Sequence, residues 1–175
     1  MKKAVAVTAA AIACVVVVSL AGCDGTPVVP VTDLSPGIYS GTLSGTETTQ
    51  EGEGEPVTKE VENIAMTVGI GASGLPVLGT KEVAVGDKVT DSSDSGSLTV
   101  TISDLTVSQN SVTVEYTVVG TVQLEGGGTA QMTGTGSWKY DLLDAQTIQY
   151  TSGGTITVAG QGAVSRDLTG PLTKQ

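Results

Sequence analysis

Most of the chain alternates apolar and polar residues with a period of two, which is the pattern of β-strands that bury one face. The clearest example is residues 129–140. There the even positions from Ala130 to Tyr140 are apolar or glycine, and the odd positions are Thr, Gln, Ser or Lys. No stretch after the N-terminal segment has the 3.6-residue period of an amphipathic helix. The chain is also rich in Thr and Val, whose β-branched side chains suit a pleated sheet. The pattern predicts an all-β fold.

The same alternation locates the individual strands. We predict strands at 37–47, 57–70, 98–107, 111–124, 129–140, 145–151 and 155–159. Changes of phase at Ser103-Asp104 and near Val119-Gly120 predict bulges, and Gly153-Gly154 predicts a turn. Residues 71–97 contain no clear element, because short apolar pieces are broken by Gly and Pro. The sequence therefore predicts a small antiparallel meander of about eight strands, arranged as a β-sandwich or a β-barrel.

The N-terminus has a different pattern. Lys2 and Lys3 precede residues 4–20, which are apolar apart from Thr8 and Ser19. A short basic segment followed by an apolar run is the layout of a secretory signal peptide. A membrane-spanning helix needs ~20 apolar residues with anchoring residues at both ends. Here the run instead passes through small residues into a polar segment, which favours the signal peptide.

The end of the apolar run, Leu20-Ala21-Gly22-Cys23, resembles the lipobox of bacterial lipoproteins. This resemblance implies cleavage before Cys23 and attachment of two palmitate-type acyl chains through its sulfur. Two or three chains together anchor a protein stably to a bilayer. Asp24 is similar to the residue that retains enterobacterial lipoproteins in the inner membrane. The resemblance implies a lipid-anchored protein of the bacterial cell envelope, with the choice of inner or outer membrane left open.

These features predict the domain organisation. Residues 1–22 are the signal peptide and are removed, residues 23–36 are the lipidated cysteine and a Pro-rich tether, and residues 37–175 are a single β-domain. Removal of residues 1–22 leaves 153 of the 175 residues, which is enough for one domain. At ~3.1 Å per residue, an extended tether of this length reaches ~40 Å.

Charge limits the partners. Loss of Lys2 and Lys3 leaves six basic residues against 18 acidic ones, a net charge of −12. Such a surface repels nucleic acid and anionic headgroups, so we expect no nucleic-acid partner. The expected partners are the membrane, through the lipid on Cys23, and either an envelope protein or a small apolar ligand.

Several kinds of chemistry are excluded by residue type. The sequence has no histidine, and its two cysteines are Cys14, in the signal peptide, and Cys23. The mature chain therefore has no disulfide, no histidine-based triad, no cysteine nucleophile, and no His or Cys ligand for zinc or copper. We expect no cofactor and no metal.

The remaining acidic clusters are predicted to be solvated. Glu51, Glu53 and Glu55 alternate with glycines, which is typical of an exposed hairpin tip. Asp91 and Asp94 could offer oxygens to calcium, but their spacing departs from the EF-hand pattern and favours a polar loop.

A second resemblance concerns the β-domain. Gly37-Ile38-Tyr39 is similar to the Gly-x-Trp signature in the first strand of lipocalin-like barrels, with Tyr39 in place of Trp. In that family a late basic residue packs across the aromatic ring, and Arg166, the only arginine, would take that role. The resemblance implies a cup for a small apolar ligand. Trp138 and Tyr140 share one strand face and would line the cup or fill a solid core. In the solid case we expect Trp138 to cover Gly134 and Gly136.

Three functions remain open. The favoured hypothesis is a membrane-anchored binding or accessory module with no catalytic activity. The alternative is a lipocalin-like carrier of a small apolar ligand, with Tyr39, Trp138, Tyr140 and Arg166 as candidate ligand or core residues. The third is an enzyme that uses only carboxylate, serine or tyrosine groups.

Overall fold

The structure is a computed structural model that describes residues 34–93, 95–124 and 127–175. The predicted signal peptide, Cys23 and Asp24 lie outside these residues. Within them, no helix is long and apolar enough to cross a membrane.

Eight strands form one antiparallel sheet, and two short strands form a separate hairpin. In chain order they are β1 Gly37–Glu51, β2 Val57–Ile70, β3 Val77–Leu78, β4 Lys81–Glu82, β5 Lys88–Ser93, β6 Gly96–Val107, β7 Ser111–Gln123, β8 Thr129–Asp144, β9 Thr147–Val158 and β10 Gly162–Lys174. The main sheet has the order β2-β1-β10-β9-β8-β7-β6-β5, and the hairpin is β3-β4. The predicted all-β antiparallel meander is confirmed. The sheet is not closed into a barrel, because β2 and β5 form its two edges.

The two faces of the main sheet differ sharply in composition. Residues directly opposite each other in an antiparallel pair point to the same face, so the register assigns each side chain. We call one side the core face, because it carries the fully buried residues of the strands, among them Tyr39, Leu43, Val112, Ile148 and Leu172. We call the other side the hydroxyl face. One row across it, from β6 to β10 and on to β1 and β2, reads Thr101, Thr117, Thr135, Thr155, Ser165, Thr48 and Thr58.

Residues 71–87 cover one end of the core face. This segment joins the edge strands β2 and β5, and its Leu75 and Val83 are buried in the core cluster. Backbone hydrogen bonds of 2.8 and 2.9 Å tie Gly86 and Asp87 to Ile102 on β6. The buried hydroxyl of Tyr140, on β8, donates a hydrogen bond to the carbonyl of Gly74. Residues 71–87 have no clear pattern in the sequence, and they cover the core. We call them the lid segment.

Leu34 also belongs to the core cluster, where it is 6% exposed. The sequence assigns this residue to the tether. Its burial fixes the chain to the core just before β1, because full burial of a leucine side chain stabilises the folded state by ~1.5–3 kcal/mol.

Several strand predictions are confirmed. The predicted strand at 57–70 coincides with β2, and those at 98–107 and 111–124 agree with β6 and β7 to within two residues. The phase change at Ser103 is a real bulge, since the register between β6 and β7 shifts between Ile102 and Asp104.

Other strand predictions are wrong. Strand β9 runs through Gly153-Gly154, where a turn was predicted, and β10 was not predicted at all. Strand β7 pairs on both sides without a register shift near Val119, so the second predicted bulge is absent there. Strands β1 and β8 continue four residues beyond their predicted ends, to Glu51 and Asp144.

Candidate functional site

A buried ion cluster crosses three neighbouring strands of the core face. Glu47 on β1 is 3% exposed and is the only charged side chain that is buried in the described part of the chain. Its Oε2 accepts hydrogen bonds from Nε of Arg166, at 2.9 Å, and from Nη2 of the same side chain. Its Oε1 lies 2.7 Å from Nζ of Lys59. Lys59 on β2 and Arg166 on β10 both lie directly opposite Glu47 in the register, which explains the three-way contact.

The cluster carries an excess positive charge. Hydrogen bonds from Lys59 and then Arg166 lower the pKa of Glu47 below its ordinary value, against the opposing effect of burial. Glu47 is therefore ionised near neutral pH, and two cations around one anion leave a local charge of about +1. The side chain of Arg166 is 30% exposed and that of Lys59 is 64% exposed. Nη1 of Arg166 has no hydrogen-bond partner among the described residues.

The same row continues across the sheet to an aromatic pair. Beyond Arg166 the row passes through Gly154 and Gly136 to Tyr116. A Cβ added at Gly136 would lie 2.5 Å from Cζ of Tyr116, and one added at Gly154 would lie 3.1 Å from its hydroxyl oxygen. Tyr116 therefore lies flat over both glycines and extends toward Arg166. Its ring also packs on Trp138, with ring centroids 5.1 Å apart and the planes tilted by 35°.

This row, which we call the ion-pair row, divides the core face into two parts. On the side of Tyr39 lies the packed core cluster, which the lid segment covers. On the other side lies a second group of apolar side chains that is outside the core cluster. We call this group the apolar strip, and it consists of Leu98, Val100, Val118, Met132, Ile156, Val158 and Val164. Only Val118 in the strip is fully buried, and the other six side chains are partly exposed.

Two glycines lie within the strip. Gly134 and Gly120 lie in its two rows, between larger residues of neighbouring strands. The neighbouring strands approach closely at both positions, since an added Cβ would meet the backbone of Thr155 at Gly134 and of Ser97 at Gly120. The strip extends four residues along β10, from Arg166 to Gly162, which is ~13 Å at the usual rise of a strand.

The structure separates the predicted site residues. Tyr39 and Tyr140 are core residues, and the hydroxyl of Tyr39 donates to the carbonyl of Ser35 at 2.7 Å. Burial, with a smaller contribution from the nearby Glu82 carboxylate, raises the pKa of Tyr140.

Arg166 lies far from these tyrosines. It is opposite Glu47, which is eight residues along β1 from Tyr39, or ~26 Å at the usual rise of a strand. The contact between a late basic residue and the first-strand aromatic ring, which the lipocalin resemblance implied, is therefore not made.

Trp138 has a different neighbour from the one expected. It is partly buried on the core face, but Tyr116 rather than Trp138 covers Gly136. The sequence analysis also did not single out Glu47 and Lys59. One sequence pattern could have found Glu47, because it has the same parity as Tyr39 and Leu43, the inward-facing residues of β1.

The predicted acidic clusters are exposed wherever the structure describes them. Glu51, Glu53 and Glu55 lie at the exposed end of the β1–β2 hairpin, as predicted. Asp91 lies on strand β5 instead of in a loop, and Asp94 is outside the described residues. No group of three or more His, Cys, Asp or Glu side chains in the described ranges could hold a metal ion.

The hydroxyl face has a shallow depression of about 360 Å³, and Gly153 is one of the residues that line it. The residues that line it are mostly hydroxyl residues of β7, β8 and β9, and Glu115 is the only carboxylate among them. Such a surface can form hydrogen bonds with water or a polar partner.

Comparison with known proteins gives no relative. No protein-family model, curated protein or solved structure matches this chain. Function is therefore inferred from the N-terminal pattern and from the chemistry of the two faces of the sheet.

Proposed function

We propose that the protein is a lipoprotein of the bacterial cell envelope, anchored to a membrane through lipid on Cys23. Its β-domain acts as a binding or accessory module without catalytic activity. The anchor is supported by the order of Lys2-Lys3, the apolar residues 4–20 and the motif that ends at Cys23. Leu34 is fixed in the core, so residues 24–33 remain as the tether, and they reach ~31 Å if extended.

The observation that supports a non-catalytic role is the state of Glu47. A general acid or base works best with a pKa near the working pH, and with a proton position open to the substrate. Glu47 has both oxygens engaged by cations, and its pKa is lowered. It serves as an ion-pair partner inside the sheet.

Metabolic labelling tests the anchor. We expect Cys23→Ala to abolish incorporation of labelled palmitate and to leave the chain unprocessed or secreted. Cys14→Ala is the matched control, because it removes the other cysteine of the N-terminal segment, and we expect it to keep the label. Label retained in the Cys23→Ala variant would contradict the lipoprotein function.

A second candidate function is the carrier of a small apolar ligand. The observation that favours it is the apolar strip, which lies beside Arg166 on the core face and has six partly exposed side chains. In this case the binding module would hold a small molecule instead of an envelope protein.

A further inference from the structure

We propose that the apolar strip and the Nη1 edge of Arg166 bind a single-chain amphiphile with a carboxylate head, a long-chain fatty acid. This inference rests on the proposed binding function and names its ligand. The ion-pair row would hold the head, and the acyl chain would lie along the strip toward Met132 and Val158.

The head-group site follows from the hydrogen-bond donors that the ion cluster leaves unused. A guanidinium offers five N–H donors, and a carboxylate can accept two of them side by side. Glu47 takes Nε and Nη2 of Arg166, which leaves the Nη1 group directed away from that pair and without a partner among the described residues. Lys59 adds a second, more exposed cation next to it. The excess positive charge of this cluster attracts an anion at short range.

The tail site follows from the exposed apolar side chains of the strip. Six of its seven side chains are partly exposed, and the seven lie in two adjacent rows of the core face. The strip begins at the ion-pair row and continues for ~13 Å. An extended acyl chain attached to a carboxylate at Arg166 would therefore cover side chains that are otherwise partly exposed, which the hydrophobic effect favours.

Charge argues against a second copy of this chain as the occupant. A dimer through the strip would bring together two chains that each carry a net charge of −12 once residues 1–22 are removed, and such chains repel each other. An anionic amphiphile instead neutralises the cluster that it contacts.

Photo-crosslinking in the native membrane tests the inference. Membranes that contain the full-length protein are incubated with palmitic acid carrying a photoreactive group in its chain, irradiated, and analysed peptide by peptide. We expect crosslinks on β8, β9 and β10. Unlabelled palmitic acid should compete with the probe. Hexadecanol, which has the same chain and an uncharged head, should compete at least tenfold less effectively. Equal competition by the two compounds, or crosslinks confined to the hydroxyl face, would overturn the proposal.

Two neighbouring substitutions on β8 provide a matched pair. Met132→Glu places a charge in the strip, whereas Thr133→Glu places the same charge one residue away on the exposed hydroxyl face. We expect the first to lower crosslinking roughly tenfold or more, and the second to leave it unchanged. Arg166→Gln should have a similar effect to Met132→Glu by removing charge-assisted hydrogen bonds. Equal yields from the Met132 and Thr133 variants, both with wild-type circular dichroism, would contradict the tail site.

Further outcomes separate this inference from the proposed function. Crosslinked dimers that form without the probe would identify a second copy as the occupant and overturn the fatty-acid site. Covalent palmitate on the peptide that contains Cys23 reports the anchor, whereas crosslinks on β8 to β10 report the ligand. Because the two signals arise on different peptides, one can fail while the other persists.

Discussion

Glu47 and Arg166 lie directly opposite each other on the adjacent strands β1 and β10, although 119 positions separate them in the sequence. Strand β10 lies between β1 and β9 in the sheet. The ion pair can therefore form only after β10 has paired with β1. It joins the first strand of the meander to the last and marks the boundary between the packed core and the apolar strip.

Acid is expected to weaken the fold through Glu47. Hydrogen bonds from Lys59 and Arg166 lower its pKa in the folded protein, below the value of ~4.3 expected in an unfolded chain. Because the folded pKa is the lower one, the contribution of this group to stability is complete above about pH 5 and is lost as the pH falls through the folded pKa.

Thermal unfolding between about pH 7 and pH 3 measures this effect. We expect Glu47→Gln to have a lower Tm than the wild type near neutral pH and a smaller further decrease in acid, because it lacks the titrating group. Glu53→Gln, at the exposed hairpin tip, is the control and should follow the wild-type curve. A Glu47→Gln curve parallel to the wild type would show that the ion pair adds no pH-dependent stability.

The hydrogen bond from Tyr140 to Gly74 is expected to hold the lid segment on the core. Tyr140→Phe removes the donor and leaves a buried carbonyl unsatisfied, at a cost of ~1–3 kcal/mol in the free energy of unfolding. We expect faster amide hydrogen exchange in residues 71–87, measured by mass spectrometry. Tyr39→Phe is the matched variant, because it removes a hydrogen bond to Ser35 instead and should leave exchange in the lid unchanged. Equal lid exchange in both variants would refute this role of Tyr140.

Gly136 is expected to tolerate no side chain. In Gly136→Ala the new Cβ would lie 2.5 Å from Cζ of Tyr116 and 2.7 Å from the carbonyl oxygen of Gly153. We expect a loss of ~1–3 kcal/mol in urea unfolding, the usual cost of overpacking. Thr135→Ala, its neighbour on the exposed face, should change stability by less than ~0.5 kcal/mol. The double variant Tyr116→Val/Gly136→Ala should recover part of the loss, and purely additive effects would contradict the contact.

Alternation identified those strands whose inward residues are nearly all apolar. Strand β2 illustrates this. Its buried residues lie at the end of the strand, up to Ile70, and its predicted limits agree with the structure. The break in phase at Ser103 was sufficient to predict the bulge, because one extra residue reverses the side on which every following side chain lies.

Glycine misled the prediction of β9, and β10 was not predicted. Gly153-Gly154 has the composition of a turn, but both residues lie within β9. A Cβ at Gly154 would crowd the backbone of Thr135 and the hydroxyl of Tyr116, so glycine suits this position within the strand. Pro171 lies inside β10, which the alternation did not predict as a strand. The pairing of β10 with β1 is interrupted at this point and resumes at Thr169, so the missing N–H of proline is tolerated.

The candidate site depended on contacts that the sequence does not display. Arg166 and Trp138 could be singled out as the only residues of their kinds. Their partners could not, because Glu47 and Tyr116 meet them only through the register of distant strands. A shift of one residue in β10 would have placed Arg166 on the hydroxyl face.

We propose that a lipid on Cys23 anchors the mature protein to the membrane. Mass spectrometry of the N-terminal peptide, prepared from the membrane fraction of cells that express the full-length chain, tests this claim most directly. We predict a peptide that begins at Cys23, continues through Asp24 and carries acyl chains on the cysteine. A membrane-associated protein whose N-terminal peptide still begins at Met1 or Lys2, or whose Cys23 carries no lipid, would contradict the account.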